Sequence, residues 1–422
     1  MAGWLPVLLL FAPAVALAAG DPYRGEQWSL DRIGVEDAWA ATPRGEGVVV
    51  AVVDTGVDLD HPDLRERFVR DADGEVVGLD LVGEGPPQDE HGHGTLVAGV
   101  IAATADNGIG VAGIAPRARL LPIRVLDEVG AGEGRDVDAA IRWAVDHGAD
   151  VINLSLESVK SSDRATVGPG APTDAVRYAW DRGVVVVAAA GNAAAPRTEY
   201  PEDSPVLLVG AVDRDDRRAA FSSGVRADAV LAPGVDIVST WCRDAGASRC
   251  EPGIHTYGLA EGTSFAAPHV SGALALLLSA GHGPEEAVER LRATAVDLGP
   301  PGPDPDHGHG RIDVGAAAAT DLEVAALRPP VDAAAPDDEA GTGQAEPPAV
   351  AAEPTPAPEP AAQRGPEPPA APDPEPQVVA LPTEPSPPSP GHVAPDGVVH
   401  LVAAVCLGVT LATWSAVARR HV

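Results

Sequence analysis

The sequence predicts an open, doubly wound α/β fold, in which a mostly parallel sheet carries helices on both faces. Short β-branched and apolar runs recur along the chain, at 48–53, 120–125, 151–154, 184–189 and 206–212. Largely apolar runs of this kind are typical of strands that are buried on both faces of a parallel sheet. Helical patterns lie between the runs, and this alternation of strand and helix indicates the doubly wound architecture.

The segment after the second run shows the helical pattern clearly. Its apolar residues fall on one helical face: Val137, Ala140, Ile141, Ala144 and Val145. Gly148 follows at the place of a helix C-cap. In open sheets of this class, functional sites lie beyond the carboxyl ends of the strands. This rule draws attention to Asp54, which ends the first run.

The amino-terminal residues predict export. Residues 1–18 contain an apolar run that is too short to span a membrane, and they end in the cleavage pattern Ala16-Leu17-Ala18. We therefore expect a secretory signal peptide, with an uncleaved anchor as the alternative. The folded domain, 21–321, begins almost at once, so no separate propeptide domain is expected between the two.

The carboxy-terminal residues predict a membrane tether. Residues 329–397 consist mainly of Pro, Ala, Glu and Asp, a composition that predicts a disordered acidic linker. Residues 398–418 match the roughly 20 apolar residues of one transmembrane helix. Arg419 and Arg420 begin the tail 419–422, which the positive-inside rule assigns to the cytoplasm. A sorting tail that is removed during maturation is the alternative.

Charge and cysteine content restrict the partners and the compartment. The chain has 29 basic and 62 acidic residues, a formal charge of −33, which argues against nucleic acid and anionic lipid as partners. Cys242 and Cys250 close a short loop, and an exported protein is expected to join them in a disulfide. Free thiols are the alternative.

Three short motifs carry the chemistry when they are taken together. They are VVDTG with Asp54, HGTLVAG with His93, and GTSFAAPHVSG with Ser264. Each has a structural explanation by itself: a strand-end carboxylate, a helix cap, or a tightly packed helix start. Together they supply what acyl transfer by serine needs, a nucleophile, a base that takes its proton, and a carboxylate that orients the base.

Over residues 21–321 the chain resembles the subtilisin-like serine proteases, whose triad has the chain order Asp, His, Ser. The motifs VVDTGVD, HGTLVAG, AAAGN and GTSFAAPHVSG carry the resemblance. It implies that Ser264 is the nucleophile, His93 the general base and then acid, and Asp54 the orienting carboxylate. It also implies that the Asn192 side-chain amide and the Ser264 backbone N–H stabilise the oxyanion.

The resemblance further implies a monomeric enzyme that acts on polypeptides. The substrate-binding residues it implies are Gly130, Ala131, Gly132, Ser155, Leu156, Glu157, Ala190 and Gly191. Glu157 departs from the family, whose members usually have a glycine there. Because Asp127, Glu128 and Glu133 flank the glycine-rich edge as well, we hypothesise a preference for basic residues near the cleaved bond.

A calcium site is a further implication of the resemblance. The matching side chains are Asp21, Asp63 and Asn107, and the carbonyls are those of Ala105, Ile109 and Val111. Six or more oxygen ligands of these types suit calcium rather than zinc. The alternative is an acidic, solvated surface.

A catalytically silent subtilisin-like scaffold is the alternative function, and Glu157 is the feature in its favour. An esterase of the G-x-S-x-G type is disfavoured by motif and chain order. His91 is expected to be a neighbour of the catalytic histidine, and His307 and His309 are expected to lie in an exposed polar turn rather than in a metal site.

Overall fold

The computed structural model describes residues 20–158, 166–167, 172–195, 198, 200–243, 249–251 and 253–319, and for 157–158 and 166–167 the backbone only. The predicted signal peptide, linker, transmembrane helix and tail lie outside these ranges. Within them, no helix is both long and apolar enough to cross a membrane.

The helices of the described chain follow a short 3₁₀ turn at Arg24–Glu26. They are α1 (Trp28–Arg32), α2 (Val35–Ala41), α3 (His93–Ala102), α4 (Gly134–Asp146), α5 (Thr173–Trp180), α6 (Thr263–Ser279), α7 (Pro284–Ala293) and α8 (Val314–Ala318). The strands are β1 (Val49–Asp54), β2 (Leu79–Asp80), β3 (Arg119–Arg124), β4 (Val151–Leu154), β5 (Glu157–Ser158), β6 (Thr166–Val167), β7 (Val185–Ala189), β8 (Leu207–Val212), β9 (Val230–Pro233), β10 (Ile237–Trp241) and β11 (Thr256–Ala260).

Seven strands form one parallel sheet in the order β2-β3-β1-β4-β7-β8-β9. The predicted runs correspond to β1, β3, β4, β7 and β8, which confirms the parallel α/β class. The chain first extends the sheet from β1 towards β2 and β3, and later towards β4 and beyond. The topological switch point therefore lies at β1, and Asp54 is its last residue.

Both faces of the sheet are covered, which explains why the runs are largely apolar. Along β1, Val50 and Val52 face one core cluster, whereas Ala51 and Val53 face the other. The first cluster contains α3 and α6, and the second contains α4 and α5. Helix α6 is buried nearly all round, as expected of a helix that is apolar on every side.

Two smaller strand pairs lie outside the main sheet. Strands β10 and β11 form an antiparallel hairpin, and β11 runs directly into the start of α6. The two-residue strands β5 and β6 pair in parallel. The sequence patterns did not predict the hairpin.

Candidate active site

Asp54 and His93 are in direct contact at the switch point of the sheet. His93 opens α3, and its Nδ1 lies 2.7 Å from Asp54 Oδ1, which also accepts the backbone N–H of Thr55 at 2.7 Å. Asp54 is fully buried and the His93 side chain is 14% exposed. Desolvation lowers the pKa of His93, but the charge and hydrogen bond of Asp54 raise it more, so the net shift of the pKa is upward. The contact thus favours an imidazole that can hold a proton.

Ser264 lies in the first turn of α6, where backbone N–H groups have no partner within the helix. Gly262 precedes the helix with φ at 144°, a conformation that residues with a side chain rarely adopt. Phe265, which follows Ser264, lies against the imidazole of His93, with ring centroids 5.3 Å apart. The Ser264 hydroxyl donates to the carbonyl of Ser155 at 3.3 Å. The start of α6 and the His93 ring therefore belong to one site.

A chain of hydrogen bonds holds the backbone carbonyl of Ser264. Pro268 lies inside α6 and has no N–H to donate to the carbonyl four residues earlier, which is that of Ser264. The Ser155 hydroxyl donates to this carbonyl instead, at 2.7 Å. Ser155 accepts from the Asn153 amide at 2.9 Å, and Asn153 accepts from the Ser271 hydroxyl at 2.9 Å. The family resemblance implied Ser155 only as a substrate-binding residue, and this structural role becomes visible only in the fold.

Asn192 follows β7 and lies beside the same helix start. Its side-chain oxygen accepts the N–H of Thr263 at 2.8 Å and the Thr263 hydroxyl at 3.0 Å. The same hydroxyl accepts the N–H of Gly191 at 3.1 Å. These bonds fix which end of the Asn192 amide is the acceptor, so the NH₂ end is the one oriented to donate elsewhere.

The loop before His93 is organised by Asp89, a residue that the sequence analysis did not single out. The Asp89 carboxylate is buried and accepts from the Thr55 hydroxyl, from the N–H groups of His91 and Gly92, and from both the N–H and the hydroxyl of Thr95. Burial raises the pKa of Asp89 despite these bonds. In the sequence this carboxylate lies in a polar stretch and looks solvated.

His91 is a neighbour of His93, as expected. The His93 N–H approaches His91 Nδ1 at 3.4 Å, and the two ring centroids are 6.4 Å apart. Desolvation, together with the positive charges on His93 and Arg243, lowers the pKa of His91 to about 4. His91 is therefore neutral at physiological pH.

The acidic residues near the predicted substrate edge have partners. Glu128 pairs with Arg249 at 3.1 Å, and Glu133 pairs with Arg135 at 2.9 Å. Asp127 accepts the N–H groups of Val129 and Ala131, which closes the turn around Gly130. The side chain of Glu157 lies outside the described part of the structure.

Part of the predicted calcium-binding set comes together away from the triad. Asp63 accepts from the Asn107 amide at 2.6 Å, and Asp21 accepts from the Asn107 N–H at 3.0 Å. Burial raises the pKa of Asp63 to about 6, and the nearby charge of Asp21 adds to the shift. The two carboxylates are oxygen donors of the kind that suits calcium. The Asn107 side chain turns its NH₂ group towards Asp63 and its oxygen towards the Ile109 N–H.

The remaining predictions concern cysteine and histidine. Cys242 and Cys250 are joined in a disulfide, with Cα atoms 4.9 Å apart, as predicted. Their sulfurs lie near the Asp89 carboxylate, but disulfide sulfurs do not act as thiolate ligands. His307 contacts Asp304 at 3.3 Å in a turn whose backbone Asp304 also caps.

Residues 45–310 match the model of the subtilase family. The chain belongs to the subtilase family. It is 43% identical over 277 residues to the thermophilic serine proteinase of Bacillus sp. strain AK1, an alignment covering 65% of this chain and 62% of that protein. It is 40% identical to thermitase of Thermoactinomyces vulgaris, covering 62% of this chain and 85% of thermitase. It is also 40% identical to subtilisin Savinase of Lederbergia lenta, covering 59% of this chain and 83% of that protein.

A solved structure agrees with this membership. A protease of Pseudoalteromonas arctica superposes with a TM-score of 0.60 at 29% sequence identity, covering 71% of this chain and 98% of the other. This subtilase is accordingly a serine endopeptidase. The enzyme class that the sequence predicted is confirmed.

Proposed function

We propose that this subtilase is an exported, membrane-tethered endopeptidase that cleaves polypeptides through Ser264, His93 and Asp54 with an acyl-enzyme intermediate. The observation that carries the proposal is the 2.7 Å contact between His93 Nδ1 and Asp54 Oδ1. This contact fixes the tautomer with a proton on Nδ1 and leaves Nε2 as the base. The serine at the start of α6 supplies the nucleophile beside that ring.

The first chemical step is proton transfer from Ser264 to His93 as the hydroxyl attacks the substrate carbonyl carbon. The hydroxyl must turn from the Ser155 carbonyl, its present acceptor at 3.3 Å, towards His93. Such catalytic hydrogen bonds often tighten only when substrate is bound. His93 then gives its proton to the leaving amine, and a water molecule attacks the acyl-enzyme by the same route. Asp54 stabilises the imidazolium in both halves of the reaction.

Asn192 and the N–H of Ser264 are proposed to stabilise the oxyanion. Asn192 is held at its oxygen by Thr263, which immediately precedes the nucleophile, so its amide is fixed relative to Ser264. Donors that are fixed before the reaction need no reorganisation when the negative charge develops. The first turn of α6 adds the favourable end of the helix dipole.

Substrates are proposed to lie along Gly130–Gly132 as an added strand, with Ala190 and Gly191 on the opposite side and Ser155, Leu156 and Glu157 at the pocket wall. The partners of Glu128 and Glu133 weaken the negative potential at this edge. A basic preference therefore depends chiefly on Glu157. A peptide library tests it: enrichment of basic residues that disappears in Glu157→Gly supports the preference, and an unenriched profile common to both proteins refutes it.

Calcium is proposed to bind at Asp21, Asp63 and Asn107, with the carbonyls of Ala105, Ile109 and Val111 completing the set. Bound calcium would compensate the charge of two neighbouring carboxylates. It would also tie the amino-terminal residues to the 105–111 loop. The site lies away from the triad, so we assign it a role in stability rather than in chemistry.

The location of the enzyme is inferred from segments outside the described residues. The 1–18 segment is proposed to direct export, and 398–418 to anchor the protein. The acidic linker of 329–397 could extend on the order of 200 Å in a polyproline-like state, which gives the peptidase domain a wide reach.

Labelling with a serine-directed fluorophosphonate tests the proposal. We expect the purified protein to be labelled and to digest an unfolded protein substrate, and Ser264→Ala and His93→Ala to lose both properties. A protein that folds but shows neither labelling nor digestion would instead be the catalytically silent scaffold.

A further inference from the structure

The β10–β11 hairpin connects the helix that carries His93 with the segment that leads to Ser264. From β10, the Ser239 hydroxyl donates to the Leu96 carbonyl at 2.8 Å and the Thr240 hydroxyl donates to the Thr95 carbonyl at 2.7 Å. Both acceptors lie in α3. The hairpin is therefore fixed to the first turns of the histidine helix, and its second strand continues into the start of α6.

The tip of this hairpin reaches the loop Asp89–Gly92, which immediately precedes His93. The N–H of Cys250 donates to the Glu90 carbonyl at 3.0 Å. The Arg243 guanidinium donates to the carbonyl of the next residue, His91. Three consecutive residues of the loop are thus in contact with the hairpin, because the third, Gly92, meets the ring of Trp241.

The contact between Gly92 and Trp241 leaves no room for a side chain. A Cβ at Gly92 would lie 2.9 Å from a ring carbon of Trp241, and the glycine has φ at 106°. The ring is therefore packed directly on the backbone that turns into α3. A displacement of the hairpin would change the direction from which the chain enters the helix at His93.

The disulfide is what closes this tip. The regular pairing of the hairpin ends at Trp241 and Thr256, so Arg243 and Cys250 lie beyond the ladder. They are held by the Cys242–Cys250 bond, by the Glu251 N–H, which donates to the Cys242 carbonyl at 3.1 Å, and by the Thr256 hydroxyl, which donates to the Arg243 carbonyl at 2.8 Å. Both sulfurs lie within 4.8 Å of a carboxylate oxygen of Asp89, the residue that accepts the N–H groups of His91 and Gly92 in the loop.

We propose that the disulfide-closed tip, defined as Trp241–Arg243 with Cys250, is a positioning element that holds the loop Asp89–Gly92 so that His93 stays aligned with Asp54 and Ser264. The inference rests on the proposed catalytic role of His93. The tip touches no reacting atom and acts through the loop. Opening the disulfide leaves the fold in place but weakens the alignment of the base, so catalysis slows more than substrate binding does.

The test compares the full chain with its Cys242→Ser/Cys250→Ser variant. We expect kcat for a small ester substrate and the rate constant of fluorophosphonate labelling to fall about tenfold, with a much smaller change in KM. A base that is misplaced by a fraction of an ångström is enough for a loss of this size. Native wild-type protein treated with dithiothreitol should show the same losses, and re-oxidation should restore them.

The pH profile separates positioning from general loss of structure. The charged and titratable groups that face His93 are Asp54, Asp89, His91 and Arg243. The cysteine replacements alter none of them. A loosened contact with Asp54 should therefore move the acid limb of kcat/KM to lower pH, towards the ordinary value for histidine.

Val288→Ala serves as the matched control, because Val288 is buried in α7 and away from the hairpin. It should lower the melting temperature while leaving kcat per labelled active site and the pH profile unchanged. The inference is overturned if the double cysteine variant keeps the wild-type kcat and acid limb, or if Arg243→Gln keeps the wild-type kcat. It is equally overturned if the losses match those of Val288→Ala. Absence of labelling in the oxidised wild-type protein would overturn the proposed function instead.

Discussion

Ser155 donates its hydroxyl hydrogen to the carbonyl oxygen of Ser264 at 2.7 Å, across 109 positions of the sequence. The bond replaces the intrahelical partner that Pro268 cannot provide. In the same pair, the Ser264 hydroxyl donates back to the Ser155 carbonyl. The end of β4 thus holds both the backbone and the side chain of the proposed nucleophile.

Removing the Ser155 hydroxyl should therefore affect stability and catalysis together. Ser155→Ala leaves the Ser264 carbonyl without its donor, at a cost of about 1–3 kcal/mol in the free energy of unfolding. We expect a lower melting temperature and a lower kcat per labelled active site. Ser279→Ala is the control, since its hydroxyl donates to a carbonyl at the far end of α6 and should leave kcat unchanged. Equal kcat in all three proteins would refute the role of Ser155.

The pH dependence of kcat/KM should report His93. Only the neutral ring can accept the serine proton, so activity rises with pH through the pKa of His93. Asp54 holds this pKa above the ordinary 6.5. Asp54→Asn removes the charge while burial persists, so the acid limb should move to lower pH and kcat should fall by about 10⁴-fold. An acid limb that stays in place in Asp54→Asn would contradict the assignment of His93 as the titrating base.

Asp89 should be required for the loop before His93. Asp89→Asn turns an NH₂ group towards donors, so at least one of the N–H groups of His91, Gly92 or Thr95 loses its acceptor. We expect about 1–3 kcal/mol less stability and a reduced rate of active-site labelling. Asp60 is exposed, so Asp60→Asn provides the comparison and should behave like the wild-type protein. A fully stable Asp89→Asn protein would show that the loop is fixed by other contacts.

Calcium removal should destabilise the protein without altering the triad. A chelator should lower the melting temperature of the wild-type protein, and added calcium should restore it. Asp63→Asn removes one of the two carboxylates, so its melting temperature should respond little to either treatment. The number of sites labelled by fluorophosphonate at 25 °C should stay the same. If the wild-type melting temperature is indifferent to the chelator, the proposed calcium site is wrong.

Local sequence patterns were sufficient to predict most of the parallel sheet and the separate catalytic motifs. The apolar runs located five of the seven parallel strands within one residue at each end, because strands buried on both faces leave a nearly continuous apolar signal. The two that were missed are β2, which has two residues, and β9, which ends at Pro233. The β10–β11 hairpin was missed because polar residues such as Ser239 and Thr240 point to α3 rather than to solvent.

The supporting contacts of the candidate site could not be predicted from local patterns. In the sequence Asp89 is one of several polar residues in a row, and only the fold shows that five hydrogen bonds converge on its carboxylate. The same holds for Asn153 and Ser155, whose partners in α6 come from more than 100 residues away. Residues that carry out the chemistry lie in recognisable sequence motifs. The residues that hold them in place cannot be recognised in this way, because their contacts depend on which distant segments the fold brings together.

The most direct test of the catalytic assignment is to identify the residue that reacts. The purified protein is treated with a fluorophosphonate and digested, and the modified peptide is sequenced by mass spectrometry. We expect a single adduct on Ser264, absent when the protein carries Ser264→Ala. An adduct on another residue, or one that persists in Ser264→Ala, would contradict the assignment of Ser264 as the nucleophile.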